Sequence, residues 1–189
     1  NTISAAEHTM ALILSLSRNV NLGHYDIMKG KWNRNKLVGS ELFNKSLGIV
    51  GLGKIGREVM HRSLAFNMRV FGYDPYLSEE YFSDDDIDIV DLDYLISNSD
   101  YISLHIPLTD NTKGLFNYNK LSKMKKSARI INVARGGIIN EEDLSRLLKE
   151  NKIAGAAIDV FESEPISIDN PLISAPNIIL TPHLGASTK

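Results

Sequence analysis

The sequence of 189 residues contains no cysteine and one tryptophan, and neither sign of charge dominates it. The absence of cysteine excludes disulfides, thiolate metal sites and a cysteine nucleophile, and it is typical of a reducing compartment. The 21 basic side chains against 23 acidic ones give a net charge of −2. No basic excess is therefore available to neutralise a nucleic-acid backbone or an anionic membrane, and we expect neither as a partner.

Long hydrophobic runs are missing as well. The longest apolar stretches, such as residues 10–14, are far below the roughly 18 residues that cross a bilayer. The first residues lack the basic start and apolar centre of a signal peptide, so we expect a cytoplasmic location. The chain has no initiator methionine, and residues 1–7 and 185–188 both look like helix starts. We interpret it as a piece of a longer protein.

What is present is the composition of an ordinary globular domain, with 43% hydrophobic and 23% charged residues. From position 47 onward, short apolar segments alternate with helical segments of about a dozen residues. That alternation predicts βαβ units, and so an α/β domain with a doubly wound parallel sheet of about seven strands and flanking helices. The predicted strands are 47–50, 69–73, 87–90, 101–104, 129–133, 154–159 and 177–181, and the predicted helices are 55–67, 91–98 and 140–150.

The first 46 residues do not alternate in this way. Ser4 and Glu7 have the spacing of a capping box, and the apolar residues after them predict a helix from residue 4 to about residue 20. Residues 21–46 look polar and irregular and contain Trp32. Because an aromatic this large tends to be packed on something, we expect the arm that carries it to lie on a partner subunit. The acidic stretch 83–93 is predicted to be a solvated turn.

A glycine motif follows the first predicted strand, where Gly51, Gly53 and Gly56 match G-x-G-x-x-G. Alone the string is weakly specific, but here an apolar strand comes directly before it and an amphipathic helix directly after. Gly51 allows the tight turn, Gly53 lets the backbone approach a pyrophosphate, and Gly56 lets helix and strand pack closely. The motif predicts a Rossmann-type dinucleotide site with phosphates at the helix N-terminus. The alternative is a glycine-rich turn without a ligand.

Asp74 ends the next predicted strand, 23 residues after Gly51. A carboxylate there would accept hydrogen bonds from both adenosine ribose hydroxyls and repel a 2′-phosphate, which favours NAD over NADP. The alternative is a plain turn residue before Pro75, and the two roles are compatible. Arg69 lies at the other end of the strand, too far away to favour NADP.

Three later strands also end in residues that can carry chemistry, and ligands of open α/β sheets bind beyond such carboxyl ends. Arg135 stands before two glycines, and a guanidinium can bind a carboxylate through two parallel hydrogen bonds. His183 ends the last strand, and acidic residues follow the neighbouring one, which predicts a proton-transfer pair. The other histidines look like ordinary turn residues, although His105 ends a strand and could line an adenine pocket: His8, His24, His61 and His105.

Taken together, residues 47–56, 132–137, 159–165 and 182–186 resemble the D-isomer-specific 2-hydroxyacid dehydrogenases. The resemblance spans essentially the whole chain and corresponds to the nucleotide-binding domain of that family. It implies NAD as the cofactor and a small 2-hydroxy or 2-oxo acid as the substrate. It also implies a homodimer, formed through the first helix and the Trp32 arm, and a substrate domain built from chain outside residues 1–189.

Carried over residue by residue, the resemblance assigns three catalytic roles. Arg135 anchors the substrate carboxylate and carbonyl, His183 is the general acid and base, and Glu164 is its partner, with Glu162 the less favoured choice. Asp159 would hold the nicotinamide carboxamide. The implied cofactor-binding residues are Gly51, Gly53, Lys54, Ile55, Gly56, Tyr73, Asp74, Pro75, His105, Pro107, Thr112, Val133, Ala134, Arg135, Asp159, His183 and Gly185. No metal ligand is expected. Asn67 stands where the family commonly has glycine, which puts the turn before the second strand in doubt.

The resemblance implies hydride transfer between NAD and a D-2-hydroxy acid, with His183 exchanging the proton of the C2 hydroxyl. The competing interpretation is a non-enzymatic, NAD(H)-responsive module like the corepressors of the same family, which keep the same three catalytic residues. A formate dehydrogenase is disfavoured, because glutamine rather than glutamate would be expected at position 164. A P-loop nucleotidase is excluded, because no Gly-Lys-Ser/Thr ends the glycine loop. Without the substrate domain, residues 1–189 should bind NAD but turn over poorly.

Overall fold

The computed structural model describes residues 1–77, 82 and 86–189. Seven parallel strands form one sheet in the order β3-β2-β1-β4-β5-β6-β7, which confirms the predicted α/β fold with a doubly wound, Rossmann-type sheet. The strands are β1 (Ser46–Val50), β2 (Arg69–Tyr73), β3 (Ile87–Ile89), β4 (Tyr101–Leu104), β5 (Arg129–Asn132), β6 (Gly155–Ile158) and β7 (Ile178–Leu180). Every residue of the central strands β1 and β4 is buried, as expected for strands covered on both faces.

Helices cover both faces of this sheet. They are α1 (Thr2–Arg18), α2 (Val20–Met28), α3 (Lys54–Ala65), α4 (Leu92–Asn98), α5 (Tyr118–Leu121) and α6 (Glu141–Lys149), with a 3₁₀ turn at Arg34–Lys36. Side chains of α1 and α3 pack on one face, around Ile13, Leu47 and Met60. Side chains of α4, α5 and α6 pack on the other, around Ile102 and Leu144. Among the described residues, no helix combines the length and the apolar character of a membrane span.

The first helix differs from its prediction. It begins at Thr2, after Asn1, so Ser4 already lies inside the helix and its hydroxyl bonds Thr188 Oγ1 at 2.7 Å. The predicted capping box is therefore wrong. Residues 20–28 form a second helix rather than irregular chain, because Asn19 adopts a left-handed conformation, with φ 53°, that ends α1 and lets α2 begin in a new direction. Residues 185 and 186 form a turn, and a helix start at this point stays a prediction.

Two further predictions concern the chain around β2 and β3. The helix before β2 ends at Ala65 rather than at residue 67. Asn67 has φ 55°, the left-handed region that asparagine tolerates better than most residues, so the turn that glycine usually makes is kept. Within the acidic stretch, residues 83–85 lie outside the described residues. Residues 87–89 form β3 and Leu92 begins α4, so a continuous solvated turn over 86–93 is wrong.

Candidate cofactor and active site

The sequence-predicted site residues gather at one edge of the sheet, where all seven parallel strands have their carboxyl ends. Chain order reverses between β1 and β4, which makes a crevice of the kind that holds ligands in open α/β sheets. Gly51 follows β1 and His105 follows β4 at this point. A Cβ atom at Gly51, where φ is +97°, would lie 2.5 Å from the carbonyl oxygen of His105. The two strand ends are therefore in direct backbone contact.

The three glycines of the motif have different surroundings. A Cβ atom at Gly56 would overlap the carbonyl oxygen of Gly51, whereas a Cβ atom at Gly53 would meet nothing within 4 Å. Packing thus requires glycine at positions 51 and 56, but not at position 53. The empty space beside Gly53 lies at the start of α3, where the first N–H groups of a helix have no acceptor in the helix itself. This open, amide-lined space fits a pyrophosphate.

Asp74 links the end of β2 to the glycine loop. Its Oδ2 accepts the backbone N–H of Leu52 at 2.9 Å, and its Oδ1 accepts that of Tyr76 at 2.9 Å. Asp74 is thus a turn residue. Each of its carboxylate oxygens has a further lone pair with which it could accept a hydrogen bond from a ribose hydroxyl. Arg69 lies at the opposite end of β2, where it pairs with Asp88 at 2.8 Å.

His105 and the loop after it lie across the crevice from the glycine loop. The Nε2 atom of His105 lies 2.8 Å from the hydroxyl of buried Ser103, and burial lowers the pKa of His105 to about 4. The imidazole is therefore neutral near pH 7. The hydroxyl of Thr112 donates to the carbonyl oxygen of Pro107 at 2.6 Å, which closes the loop that follows His105.

Arg135 is presented on a backbone that its neighbours fix. The side-chain amide of Asn132 donates to the carbonyl oxygen of Arg135 at 2.9 Å, and its oxygen accepts the N–H of Ala134 at 3.0 Å. A Cβ atom at Gly136 would overlap the carbonyl oxygen of Phe161, so the loops after β5 and β6 touch through their backbones. The guanidinium itself is exposed and donates to the carbonyl oxygen of Ala134, from which a carboxylate ligand could draw it.

Glu164 and His183 form the predicted pair in space. Glu164 Oε2 lies 2.7 Å from His183 Nδ1, and its Oε1 accepts the N–H of Phe161 at 3.0 Å. The hydrogen bond to His183 holds the pKa of Glu164 below its usual range. An ionised Glu164 therefore accepts a hydrogen bond from Nδ1–H of His183, which leaves Nε2 free to exchange a proton with the substrate. The other acid considered, Glu162, bonds Glu141 through its backbone N–H at 2.8 Å.

Asp159 is completely buried and organises the loop that carries His183. Its Oδ1 accepts the hydroxyl of Thr181 at 2.6 Å and the N–H of Leu184 at 2.8 Å, and its Oδ2 accepts the N–H of Gly185 at 2.9 Å. The predicted role of Asp159 toward the nicotinamide carboxamide stays a prediction. Oδ2 accepts one hydrogen bond here and has a further lone pair, although none of the side chain is exposed.

Sequence reasoning missed three residues at this edge. His8 was expected to be a turn residue, but it lies within α1, and its Nε2 is 3.1 Å from Asp159 Oδ1. Two histidines elsewhere in the fold, His24 and His61, were also expected in turns but lie in helices α2 and α3. The other two missed residues are Asn132 and Thr181, described above. Only Asn132 had a usable signal, as an amide side chain between the apolar residues Ile131 and Val133. In the described part of the chain, no group of three side chains is arranged to hold a metal ion.

Comparison with protein families matches residues 10–185 to the NAD-binding domain of the D-isomer-specific 2-hydroxyacid dehydrogenases. Over its whole length, the chain is 49% identical to D-3-phosphoglycerate dehydrogenase of Bacillus subtilis. It is 48% identical to chloroplastic D-3-phosphoglycerate dehydrogenase 2 of Arabidopsis thaliana and 45% identical to D-3-phosphoglycerate dehydrogenase of Methanocaldococcus jannaschii. The chain spans 36%, 30% and 36% of these three relatives, so it corresponds to about a third of their length.

Solved structures agree with this match. The NAD-dependent formate dehydrogenase of Staphylococcus aureus in complex with NAD superposes with a TM-score of 0.93 at 36% identity, over 100% of this chain and 56% of that one. The apo D-lactate dehydrogenase of Escherichia coli superposes with a TM-score of 0.90 at 30% identity, over 100% of this chain and 59% of that one. Relatives with different named substrates thus share the same domain.

Proposed function

The chain belongs to the D-isomer-specific 2-hydroxyacid dehydrogenase family as its NAD-binding domain, and from this premise we propose that its protein interconverts D-3-phosphoglycerate and the corresponding 2-oxo acid. The observation that carries the reaction is the 2.7 Å contact between His183 Nδ1 and Glu164 Oε2. This pair lies at the same sheet edge as the glycine loop and Arg135. The choice of substrate is supported by the D-3-phosphoglycerate dehydrogenases that match the whole chain.

Each proposed catalytic residue has a definite task. When bound, NAD supplies the nicotinamide ring that accepts the hydride from the substrate C2 in oxidation, and NADH supplies the hydride that returns to C2 in reduction. His183 accepts the proton of the C2 hydroxyl at Nε2, and the imidazolium that results is stabilised by the carboxylate of Glu164. Arg135 binds the substrate carboxylate through two parallel hydrogen bonds and stabilises negative charge on the carbonyl oxygen. In reduction, the same proton returns to that oxygen.

The cofactor contacts are proposed from the geometry of the crevice. Backbone N–H groups at the start of α3 would bind the pyrophosphate beside Gly53, where space is open. Asp74 would accept the adenosine ribose hydroxyls with its free lone pairs. The further proposed contacts, all at the same edge or next to it, are Gly51, Lys54, Ile55, Gly56, Tyr73, Pro75, His105, Pro107, Thr112, Val133, Ala134, Arg135, Asp159, His183 and Gly185.

Self-association is part of the proposal. Helix α2 contains Val20, Leu22 and Ile27, yet none of its residues is buried within the chain. Trp32 follows it and is 81% exposed. Several large apolar side chains exposed within one segment are typical of a protein interface. A homodimer formed through α1, α2 and the Trp32 arm would bury it. Trp32→Glu should then shift the whole protein toward the monomer in sedimentation equilibrium, and an unchanged mass would contradict the proposal.

The remaining parts of the proposal concern the whole protein. The chain is about a third as long as the relatives it matches, which supports a substrate domain formed by chain on either side of residues 1–189. Such a domain would close over the crevice, exclude water and supply further substrate contacts. The domain described here should bind NAD on its own and turn over poorly. Its lack of cysteine fits a reducing compartment, for which we propose the cytoplasm.

The test is turnover by the whole protein with NAD and a panel of acids. The panel contains D-3-phosphoglycerate, D-lactate, D-glycerate and formate, and calorimetry measures NAD binding separately. We expect saturable NAD binding and NADH formation with D-3-phosphoglycerate above the other acids. Preference for another acid would overturn the assignment of D-3-phosphoglycerate as the substrate. NAD binding without any turnover would favour a corepressor-like module. An absence of binding at millimolar NAD would overturn the cofactor site.

A further inference from the structure

We propose that His8 is a positioning residue for the reaction, because it holds the buried carboxylate of Asp159 and, through it, the loop that carries His183. The inference rests on the proposed function, in which His183 exchanges the proton. His8 lies on α1, far from the glycine loop and the strand ends along the sequence. It joins the site from the helix that packs across the sheet beneath it.

The contacts of His8 fix which of its nitrogens carries a hydrogen. Its Nε2 lies 3.1 Å from Asp159 Oδ1 and 3.3 Å from Thr181 Oγ1. The hydroxyl of Thr181 already donates to Asp159 Oδ1, so its oxygen faces His8 as an acceptor. Because both atoms near Nε2 are acceptors, Nε2 must be the donor. The His8 side chain is 18% exposed, so water competes little for this hydrogen bond.

Asp159 needs this donor because its carboxylate is 0% exposed. A carboxylate removed from water is costly unless hydrogen bonds replace its hydration. Thr181, Leu184 and Gly185 each provide one donor from the loop itself. His8 provides a donor from outside the loop. It therefore ties the carboxylate to a rigid helix rather than to the segment that the carboxylate must hold in place.

The segment held by Asp159 is strained at the catalytic histidine. His183 has φ 55°, a left-handed conformation that persists in a non-glycine residue only where the surroundings impose it. The N–H of His183 donates to the carbonyl oxygen of Asp159 at 2.9 Å, and the next two N–H groups donate to the carboxylate. The same residue thus holds the loop through both its backbone and its side chain. Movement of that side chain would let the loop relax.

Relaxation of the loop would move His183 Nε2 relative to the substrate. Glu164 fixes the ring at Nδ1, but the ring position also depends on the backbone to which it is attached. A misplacement of about 1 Å costs about 100-fold in rate when reacting groups must be aligned. Loss of the His8 hydrogen bond should therefore lower kcat while leaving substrate affinity nearly unchanged, since the polar partners of His8 are Asp159 and Thr181 and not Arg135, which binds the substrate carboxylate.

The test compares three substitutions in the whole protein. His8→Gln places an amide N–H close to the position of Nε2, His8→Asn has the same amide on a side chain too short to reach, and His8→Leu has no donor. We expect kcat to fall by about 10- to 100-fold in His8→Asn and His8→Leu, with the KM for the acid substrate little changed, and to recover largely in His8→Gln. His61→Asn, the same change on the exposed face of α3, is the control and should leave kcat unchanged.

Amide hydrogen exchange gives a readout that does not depend on turnover. Protection of the Leu184 and Gly185 amides should fall in His8→Asn and return in His8→Gln. Equal kcat and equal protection in the Gln and Asn variants would overturn the inference, as would a loss of kcat that only follows a loss of thermal stability. If the unmodified protein turns over none of the acids in the panel, the proposed function fails. Amide protection would then still support or overturn the role of His8 in holding the loop.

Discussion

The glycine loop after β1 offers backbone groups to a ligand, whereas the strand ends of β5, β6 and β7 offer side chains. In the loop, residues five positions apart touch, and Gly56 leaves room for the carbonyl oxygen of Gly51. At the other strand ends, Glu164 and His183 lie 19 positions apart and meet through a 2.7 Å hydrogen bond. One half of the site is built by close packing of neighbouring chain, and the other by polar contacts between segments that are distant in sequence. Substitutions in the two halves should therefore change different quantities.

The largest difference between the effect of a substitution on kcat and its effect on NAD affinity is expected at His183. His183→Ala removes the group that exchanges the substrate proton, so kcat should fall by at least about 100-fold, the usual scale of general acid and base assistance. NAD affinity should fall far less than kcat, because the other proposed cofactor contacts, including those to the phosphates at the start of α3, stay in place. Steady-state kinetics of the whole protein and calorimetry with NAD measure the two quantities.

Glu164→Gln is a matched control for this experiment. It keeps the size of the side chain but removes the charge that stabilises the imidazolium, so its loss of kcat should be smaller than that of His183→Ala. Near-normal turnover by His183→Ala would overturn the assignment of the general acid and base. A large loss of NAD affinity would instead show that the two halves of the site are not separable.

Within the glycine loop, Gly53→Ala should lower NAD affinity, whereas Gly56→Ala should lower stability. The open space beside Gly53 accepts a methyl group without a clash, so the protein should keep its stability, while NAD affinity falls about ten-fold or more because the methyl group occupies the phosphate space. Gly56→Ala forces a clash with backbone and should lower the free energy of unfolding by about 1–3 kcal/mol. Calorimetry with NAD and urea unfolding distinguish the two. Equal loss of NAD affinity without loss of stability in both variants would contradict this division.

The sequence predicted the sheet well because its signals are local. Most of the strands are short apolar runs between polar turns, and the order of strands and helices decides the topology. The failures lie where a single residue changes direction. The left-handed Asn19 separates α1 from α2, and nothing in the pattern of residues 20–28 marks them as a helix, because none of them is buried in the chain.

The site was predictable to the extent that it follows from strand ends. Arg135, Glu164 and His183 follow three neighbouring strands, so a parallel sheet brings them to one edge. The contact between His8 and Asp159 spans 151 positions and joins a helix to a strand end. No local periodicity encodes such a pair, since only the packing of α1 on the sheet decides which of its side chains reaches β6.

A smaller effect is expected from the charge of Asp74, which tests whether the backbone loop also depends on a side chain. Asp74→Asn keeps the shape of the side chain but weakens the acceptor and removes the repulsion of a 2′-phosphate. The ratio of NAD to NADP affinity should fall by about ten-fold, as expected for one charged hydrogen bond. Asp88→Asn, a carboxylate in the middle of β3 that pairs with Arg69 at the start of β2, is the control. An unchanged ratio in Asp74→Asn would leave Asp74 as a turn residue only.

The smallest effect concerns His105, at the boundary between the two halves of the site. Burial lowers its pKa from 6.5 to about 4 in the folded protein, whereas an unfolded chain has the usual value. Between these two values, the unfolded state binds a proton that the folded state does not, so the free energy of unfolding decreases as the pH falls. From about pH 7.5 to about pH 5.5, the decrease due to His105 should be about 1 kcal/mol.

His105→Gln isolates this contribution, because it keeps a hydrogen-bonding side chain for Ser103 but has no group that titrates. Urea unfolding of the parent and the variant at several pH values between those limits should show a steeper loss of stability in the parent. The two curves should differ in slope below the usual histidine pKa and run parallel above it. Parallel curves throughout would mean that His105 titrates alike in the folded and unfolded states. The crevice between β1 and β4 would then be wet enough to hydrate an imidazolium, and the boundary between the two halves would be open to solvent before any cofactor binds.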